Sequence, residues 1–199
     1  MARVADPQKI EDLKEAAIET IVKYGYRGTS IADIAKKANV SAGYLYRYYR
    51  SKEELIADIM STQVDAVKAQ IKNGLKNSDT IEELFYNSVI SMFRLVKSAP
   101  SHAQAIANLI LAADFDQIIP DVAEIGEDIF RAILGFGLKT QEFSESITME
   151  DVRLVFSAIP FGYITIGLKE SKDSKDQLPY FFSEEQARKL VRLCLNALK

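Results

Sequence analysis

Apolar residues recur along this chain with the period of a helix almost from its start. Ile10, Leu13, Ala17, Ile18, Ile21 and Val22 share one helical face, behind an Asp6-Pro7 pair in which aspartate caps and proline takes the first helical position. Gly25 and Gly28 predict the end of that helix. Ser30-x-x-Asp33 opens a second, short one. Ser51-x-x-Glu54 is a capping box for a long helix, with Leu55, Ile56, Ile59, Met60, Val64 and Val67 spaced for one buried face. Asn73-Gly74 through Asp79 predicts the end of that helix and the seam between domains. Thr80-x-x-Glu83, Thr148-x-x-Asp151 and Ser183-x-x-Gln186 mark further starts, and Pro100 and Pro120 further breaks. Pro160 falls inside an otherwise helical run and should kink or split it, having no N–H to donate. Lys169 to Gln177, closed by Pro179, reads as a loop. No stretch of convincing length alternates like a strand, and no internal repeat is found. The pattern predicts an all-α protein, a small N-terminal unit followed by a larger C-terminal bundle.

Between Ile31 and Tyr49 the residue types meet a more specific demand. Two short helices that cross steeply need a small residue at their contact, a turn residue tolerant of positive φ, and apolar residues beneath. Ala35 is small, and Asn39 can take the left-handed conformation, though glycine would do so more easily. Val40 and Leu45 fill the underside, and Ser41 caps the next helix. A helix-loop-helix spacer would share these features. The second helix itself is less usual: Tyr44, Tyr46, Arg47, Tyr48 and Tyr49 place four phenols and a guanidinium within two turns. Phenols at such spacing cannot all point inward, so at least two should face solvent beside Arg47, Arg50 and Lys52. Hydroxyls and cations so placed suit a DNA backbone, with the helix in a major groove.

Charge supports this locally. The net charge of the 199 residues is -3, which alone argues against a nucleic-acid binder. Residues 23 to 52, however, hold Lys23, Arg27, Lys36, Lys37, Arg47, Arg50 and Lys52 against Asp33, a net +6 that leaves -9 for the remainder. Screening confines each charge to about 10 Å, so a basic stripe on an acidic body can still hold phosphates.

Thr29-Ser30-Ile31-x-x-Ile34-Ala35-x-x-Ala38-x-Val40-Ser41-x-Gly43-x-Leu45-Tyr46-x-Tyr48-Tyr49-x-Ser51-Lys52-Glu53-Glu54-Leu55 resembles the N-terminal signature of the TetR/AcrR-like bacterial transcriptional regulators. The likeness covers roughly residues 9 to 60. Asn39 stands where glycine is commoner, and Tyr49 where phenylalanine is usual. The resemblance implies a three-helix helix-turn-helix DNA-binding domain over residues 1–50 and a helical effector-binding and dimerisation domain over 51–199. It implies phosphate contacts by Tyr46, Lys52 and Thr29, with Ser30 beside it at the start of the second helix. It places Ala42, Gly43, Tyr44, Arg47 and Tyr48 toward the bases. Arg47 can donate twice to a guanine edge, worth ~1–3 kcal/mol of discrimination. Which of Tyr44 and Tyr48 reads a base is left open.

By the same resemblance the last two helices form a dimer interface, so that a pair of chains reads a palindromic double-stranded operator. The last helix agrees: Ala187, Leu190, Val191, Leu193, Cys194, Leu195, Ala197 and Leu198 cover an arc of roughly 200°, twice that of a one-sided helix. A wide arc buried within one chain would look the same. Ala158, Gly162, Tyr163, Ile166 and Gly167 in the preceding helix include small residues that permit close approach. The resemblance also puts a small, largely apolar effector between residues 80 and 145. Phe85, Val89, Met92, Phe93, His102, Ile106, Leu109, Ile110, Phe115, Phe130 and Phe136 are candidates, fewer than half of them expected to touch a ligand. The implied function is a repressor released by that effector. Control by a protein partner, or by nothing small, is the alternative.

The remaining composition narrows other classes. With 48% hydrophobic and 27% charged residues, there is apolar material enough for a core, and disorder is excluded. Cys194 is the single cysteine, so no internal disulfide can form and a reducing, cytoplasmic setting fits. Met1 to Lys14 lacks the apolar core of a signal peptide, and Val155 to Leu168, with Ser157, Pro160 and Thr165, is too short to span a bilayer comfortably. His102 with Asp114, Asp116 and Asp121 matches no metal-ligand spacing, so no metal is expected. One histidine, one cysteine and no glycine-rich phosphate loop leave nucleophilic and nucleotide chemistry without their parts. Glu127-Asp128 reads as a solvated face. No enzyme and no cofactor are expected.

Overall fold

The computed structural model describes residues 7–112, 115–171 and 177–198, and every element among them is helical. The expected cap Asp6, Asp114, and 172–176 of the expected loop lie outside the described residues. In chain order the helices are α1 (Pro7–Gly28), α2 (Ile31–Lys37), α3 (Ala42–Leu45), α4 (Lys52–Asn77), α5 (Ile81–Ser98) and α6 (Pro100–Ile110). Then come α7 (Phe115–Ile118), α8 (Pro120–Lys139), α9 (Met149–Arg153), a π-helical turn (Leu154–Ala158), α10 (Ile159–Glu170), α11 (Gln177–Phe181) and α12 (Glu184–Asn196).

The caps explain most starts. Ser30, Ser41, Ser51, Thr80, Thr148 and Ser183 each accept a hydrogen bond from the backbone N–H three residues on. Side-chain length then decides how the reciprocal bond closes. Asp33 and Asp151 reach back to the N–H of their own cap residue. The longer Glu54 and Glu83 overshoot by one residue and accept from the N–H of Arg50 and Asp79. Pro100 and Pro120 sit at the first turns of α6 and α8, where a missing N–H costs nothing.

Three expected breaks take particular forms. Gly25 takes φ 71° and interrupts α1, which ends at Gly28, as those two glycines predict. Helix α4 ends at Asn77, inside the stretch Asn73–Asp79 that predicts its end, with the Ser78 N–H donating back to the Gly74 carbonyl; a Cβ on Gly74 would collide with Leu84 Cδ1, so glycine also permits the close approach of α5. Pro160 neither splits nor stops its helix. The wide turn Leu154–Ala158 precedes it, and the Ile159 N–H reaches back to the Leu154 carbonyl, so the backbone widens where the ring must fit. Helix therefore continues from Met149 to Glu170, 22 residues, longer than the apolar stretch read from sequence. By length and composition it could cross a membrane; less than half of its most apolar stretch is buried.

Packing follows three connected clusters. Leu13, Ala16, Ala17, Ile34, Ala35, Leu45, Tyr49 and Leu55 form the N-terminal core. Ile18, Ile21, Ile56, Met60, Ala105, Ile106 and Leu109 join α1 and α4 to α6. The body is built on Phe85, Val89, Phe93, Val96, Phe156, Ile164, Phe182, Leu190 and Val191, among others. Of the apolar face expected on α4, Leu55, Ile56 and Met60 are buried, whereas Val67 is exposed.

Phe182 meets Phe93 edge-on at 5.1 Å and rests where Gly167 has no side chain. Replacing it with alanine removes a filled ring volume that neighbouring helices cannot readily close. Phe182→Ala is expected to lower unfolding free energy by about 3–5 kcal/mol in a urea titration.

Candidate nucleic-acid interface

The recognition segment begins at a turn whose geometry is local. Asn39 holds φ 55°, and the Val40 N–H donates to the Ala35 carbonyl at 2.9 Å. Ala35 is 2% exposed and Leu45 0%, so the two helices meet closely over the underside. Ser41 then caps α3, which is one turn long and continues as looser turns to Tyr48.

The phenols divide as helical spacing requires. Tyr46 is 55% exposed, Tyr44 and Tyr48 are half-buried, and Tyr49 is 6% exposed. Tyr44 and Tyr48, four residues apart, place their rings 5.3 Å apart, and the Tyr48 hydroxyl donates to that of Tyr44 at 3.1 Å. Exposed Arg47 stands over the Tyr44 ring, 5.7 Å from guanidinium carbon to centroid. Ala42 is half-buried and Gly43 exposed at the start of the same segment. The surface thus offers two paired phenols, a guanidinium and a free-standing Tyr46, a set able to donate to phosphates and base edges.

Thr29, Ser30 and Lys52 are engaged within the fold. Thr29 is 3% exposed, and its hydroxyl donates to the Gly25 carbonyl at 2.8 Å. Exposed Ser30 caps α2. The Lys52 ammonium donates to the Tyr26 and Thr29 carbonyls, both at 2.9 Å, and lies 3.9 Å from the Tyr26 ring centroid. One ammonium hydrogen is left over by those two bonds. Lys52 therefore ties the end of α1 to the start of α4, beside whatever it offers a phosphate.

Two polar ties went unread in the sequence. The Tyr26 hydroxyl donates to Glu53 Oε1 at 2.5 Å. The Tyr49 hydroxyl donates to Asp58 Oδ2 at 2.6 Å, and Lys14 Nζ stands 2.9 Å from the same oxygen. Tyr49 was marked by its extra hydroxyl; nothing in the spacing named Asp58 or Lys14 as partners. Burial opposes charge on Asp58, but the hydrogen bonds from Tyr49 and Lys14 prevail and hold its carboxyl below the ordinary 3.8. The Tyr26 hydrogen bond, chiefly, holds Glu53 below 4.5. Burial, then the bond to Asp58, pushes the Tyr49 phenol well up, so it stays a donor.

The candidate effector residues do not converge on one place. Phe85, Val89 and Phe93 are buried in the body core, Phe85 4.3 Å from Phe156 between centroids, with Met92 and Phe130 half-buried around it. His102 and Ile106 lie elsewhere, beside Ile18, Ile21, Ile59, Met60 and Gln63, around a cleft of about 20 Å³, room for one water. His102 Nε2 is 3.1 Å from Glu15 Oε1, linking α6 to α1. Among the described residues no three His, Cys, Asp or Glu side chains converge as metal ligands would.

Comparison with known proteins places this geometry. Residues 13–59 match the family model for bacterial regulatory proteins of the tetR family. The fatty acid metabolism regulator protein of Bacillus subtilis (strain 168) is 27% identical over 164 residues, 78% of this chain and 79% of its own length. The HTH-type transcriptional repressor KstR2 of Rhodococcus jostii (strain RHA1) is 24% identical over 149 residues, 73% and 71% of the two chains. Among solved structures, the fatty acid degradation regulator FadR from Bacillus halodurans superposes with a TM-score of 0.69 at 18% identity, covering 95% of this chain and 99% of its own. FadR from Bacillus subtilis, in complex with stearoyl-CoA, gives 0.66 at 19% identity over 95% and 99%. At these identities the structures show a shared fold.

Asp58 and Glu53 titrate below their unfolded values, so their contribution is full above about pH 4.5 and fades as pH falls through the lowered values. Asp58→Asn is therefore expected to flatten the acid limb of a Tm-against-pH profile, leaving its neutral slope unchanged.

Proposed function

We propose that the chain is a TetR-like transcriptional regulator acting as a homodimeric repressor, released from a palindromic operator by a small, largely apolar effector. The observation that carries this reading is α4: its first turns hold the recognition segment, and the same helix runs on into the body. A ligand that displaces α4 at its far end would change the separation of two recognition helices. On this reading residues 1–50 are the DNA-binding domain and 51–199 the effector and dimer domain. The protein works in the cytoplasm.

A second copy fits the uncovered face of the last helices. Leu154 is 53% and Ile166 61% exposed, in line with half-buried Ala158 and Gly162, and a Cβ on Gly162 would meet nothing within 4 Å. On α12 the wide apolar arc divides: Ala187, Leu190, Val191 and Cys194 turn inward, while Leu193 is 63% exposed and Ala197 is also open. A second chain packed on these helices would cover Leu154 and Ile166 of one and Leu193 of the other.

For the effector, the relative named for fatty acid metabolism and the stearoyl-CoA complex support an acyl class. The candidate residues are those of α5 and its neighbours: Phe85, Val89, Met92, Phe93 and Phe130, with His102 and Ile106 at the α1–α6 contact. Because Phe85 and Phe93 are closed into aromatic packing, an acyl chain would have to part α5 from the helix running Met149–Glu170. That close packing also favours the second reading, a regulator answering to a protein partner or to nothing small.

Titrating stearoyl-CoA into the protein–DNA complex is expected to weaken binding by about 5–150-fold. Unchanged affinity across acyl chain lengths would leave the second reading. For the DNA face, Arg47→Ala should relax preference at one base pair. Lys52→Ala should weaken binding to every duplex, make the salt dependence shallower by about one unit, and also lower Tm, because two carbonyls lose their donor.

A further inference from the structure

We propose that Tyr49 is a positioning residue for DNA reading: through Asp58 and Lys14 its hydroxyl fixes the tilt of the recognition segment and so sets discrimination between sequences. Tyr49 sits one turn after Leu45, and its ring is buried in the N-terminal core. Phenylalanine would fill the same space, so packing gives no reason for the hydroxyl. Its hydrogen bond does. Asp58 Oδ2 accepts from Tyr49 at 2.6 Å and lies 2.9 Å from Lys14 Nζ, so one carboxylate oxygen joins α1, the end of the recognition segment and α4.

Such a joint bears on orientation because α3 is four residues long and cannot define its own axis. Leu45, fully buried, keeps it from lifting away. Apolar contact is non-directional, however, and resists rotation poorly. A short hydrogen bond to an ionised, doubly held carboxylate is directional and about twice as strong as a neutral one. It acts at the far end of the segment from the Ser41 cap, so the two ends are fixed independently.

The two parts of DNA binding respond differently to a loosened tilt. Lysine and tyrosine contacts to phosphates tolerate changes of angle and supply sequence-independent affinity. A guanidinium donating twice to a base edge requires placement within about 0.5 Å and 10–20°. Loss of the tie should therefore act on discrimination rather than on binding as such.

The test uses a duplex selected from a random library by the wild-type protein and a scrambled duplex of equal length. Tyr49→Phe is expected to bind the selected duplex about tenfold more weakly, with the scrambled duplex within about twofold. Asp58→Ala should show the same loss, and adding Tyr49→Phe to it should cost nothing further. Asp58→Asn, which keeps an acceptor for the phenol, should retain more discrimination than Asp58→Ala and guards against a folding defect in the latter. A merely structural role would lower Tm and leave the ratio of the two affinities unchanged. An unchanged ratio for Tyr49→Phe, equal losses on both duplexes, or additive losses in the double variant would each overturn the proposal.

Discussion

A helix of one turn cannot hold itself in water, and the recognition segment contains only such a helix. Nucleation fixes several residues for a single hydrogen bond, so α3 exists because other parts of the chain hold it. Its supports are of three kinds. Asn39 turns the backbone, Ser41 caps the first N–H groups, and Leu45 descends into a core shared by α1, α2 and α4. The side left facing outward does not have to fill the core, which is why phenols and a guanidinium can stand there. DNA reading depends on this division of labour between the two faces.

The N-terminal unit does not stand apart from the body. Leu55 at the start of α4 belongs to the N-terminal core, while Ile56 and Met60, on the next face, pack with Ala105, Ile106 and Leu109 of α6. Helix α1 makes the same transition, from Leu13 and Ala17 on one side to Ile18 and Ile21 on the other. Two continuous helices thus cross from one core to the next. Lys52, Glu53 and Asp58 add directional ties within the first two turns of α4. A displacement of α4 would carry the recognition segment with it rather than slide past, which is the mechanical condition for coupling between sites.

Much of the fold could be read from the chain because caps and helical periodicity are local. The starts at Ser30, Ser51, Thr80, Thr148 and Ser183 follow from short side chains beside apolar faces, and Asn39 from its tolerance of positive φ. Gly74 and Pro160 carry further roles that local spacing does not announce. Gly74 is small for the sake of Leu84 on the next helix, and Pro160 is accommodated by a widened turn that no propensity announces. The interface divides in the same way. Exposure of Tyr46 and Arg47 follows from helical geometry; the engagement of Lys52 with Tyr26 and Thr29 does not, since it depends on where α1 ends relative to α4.

The body poses a sharper question of energetics. A site that admits an apolar ligand needs either standing volume or packing that yields, and in one core Phe85 closes on Phe156 while Phe93, Tyr163 and Phe182 close on one another. Opening it forfeits dispersion contacts that only a ligand of comparable apolar area can replace. Under the proposed function that requirement would confer selectivity: small or polar molecules could not compensate the separation of the helices, whereas a long acyl chain could. The Phe93–Tyr163 stack joins α5 to α10, whose other face carries Ile166 toward the proposed second copy. Under the proposed function, a ligand parting those rings would press on the dimer face and on α4 through α5, reaching both determinants of recognition-helix spacing at once.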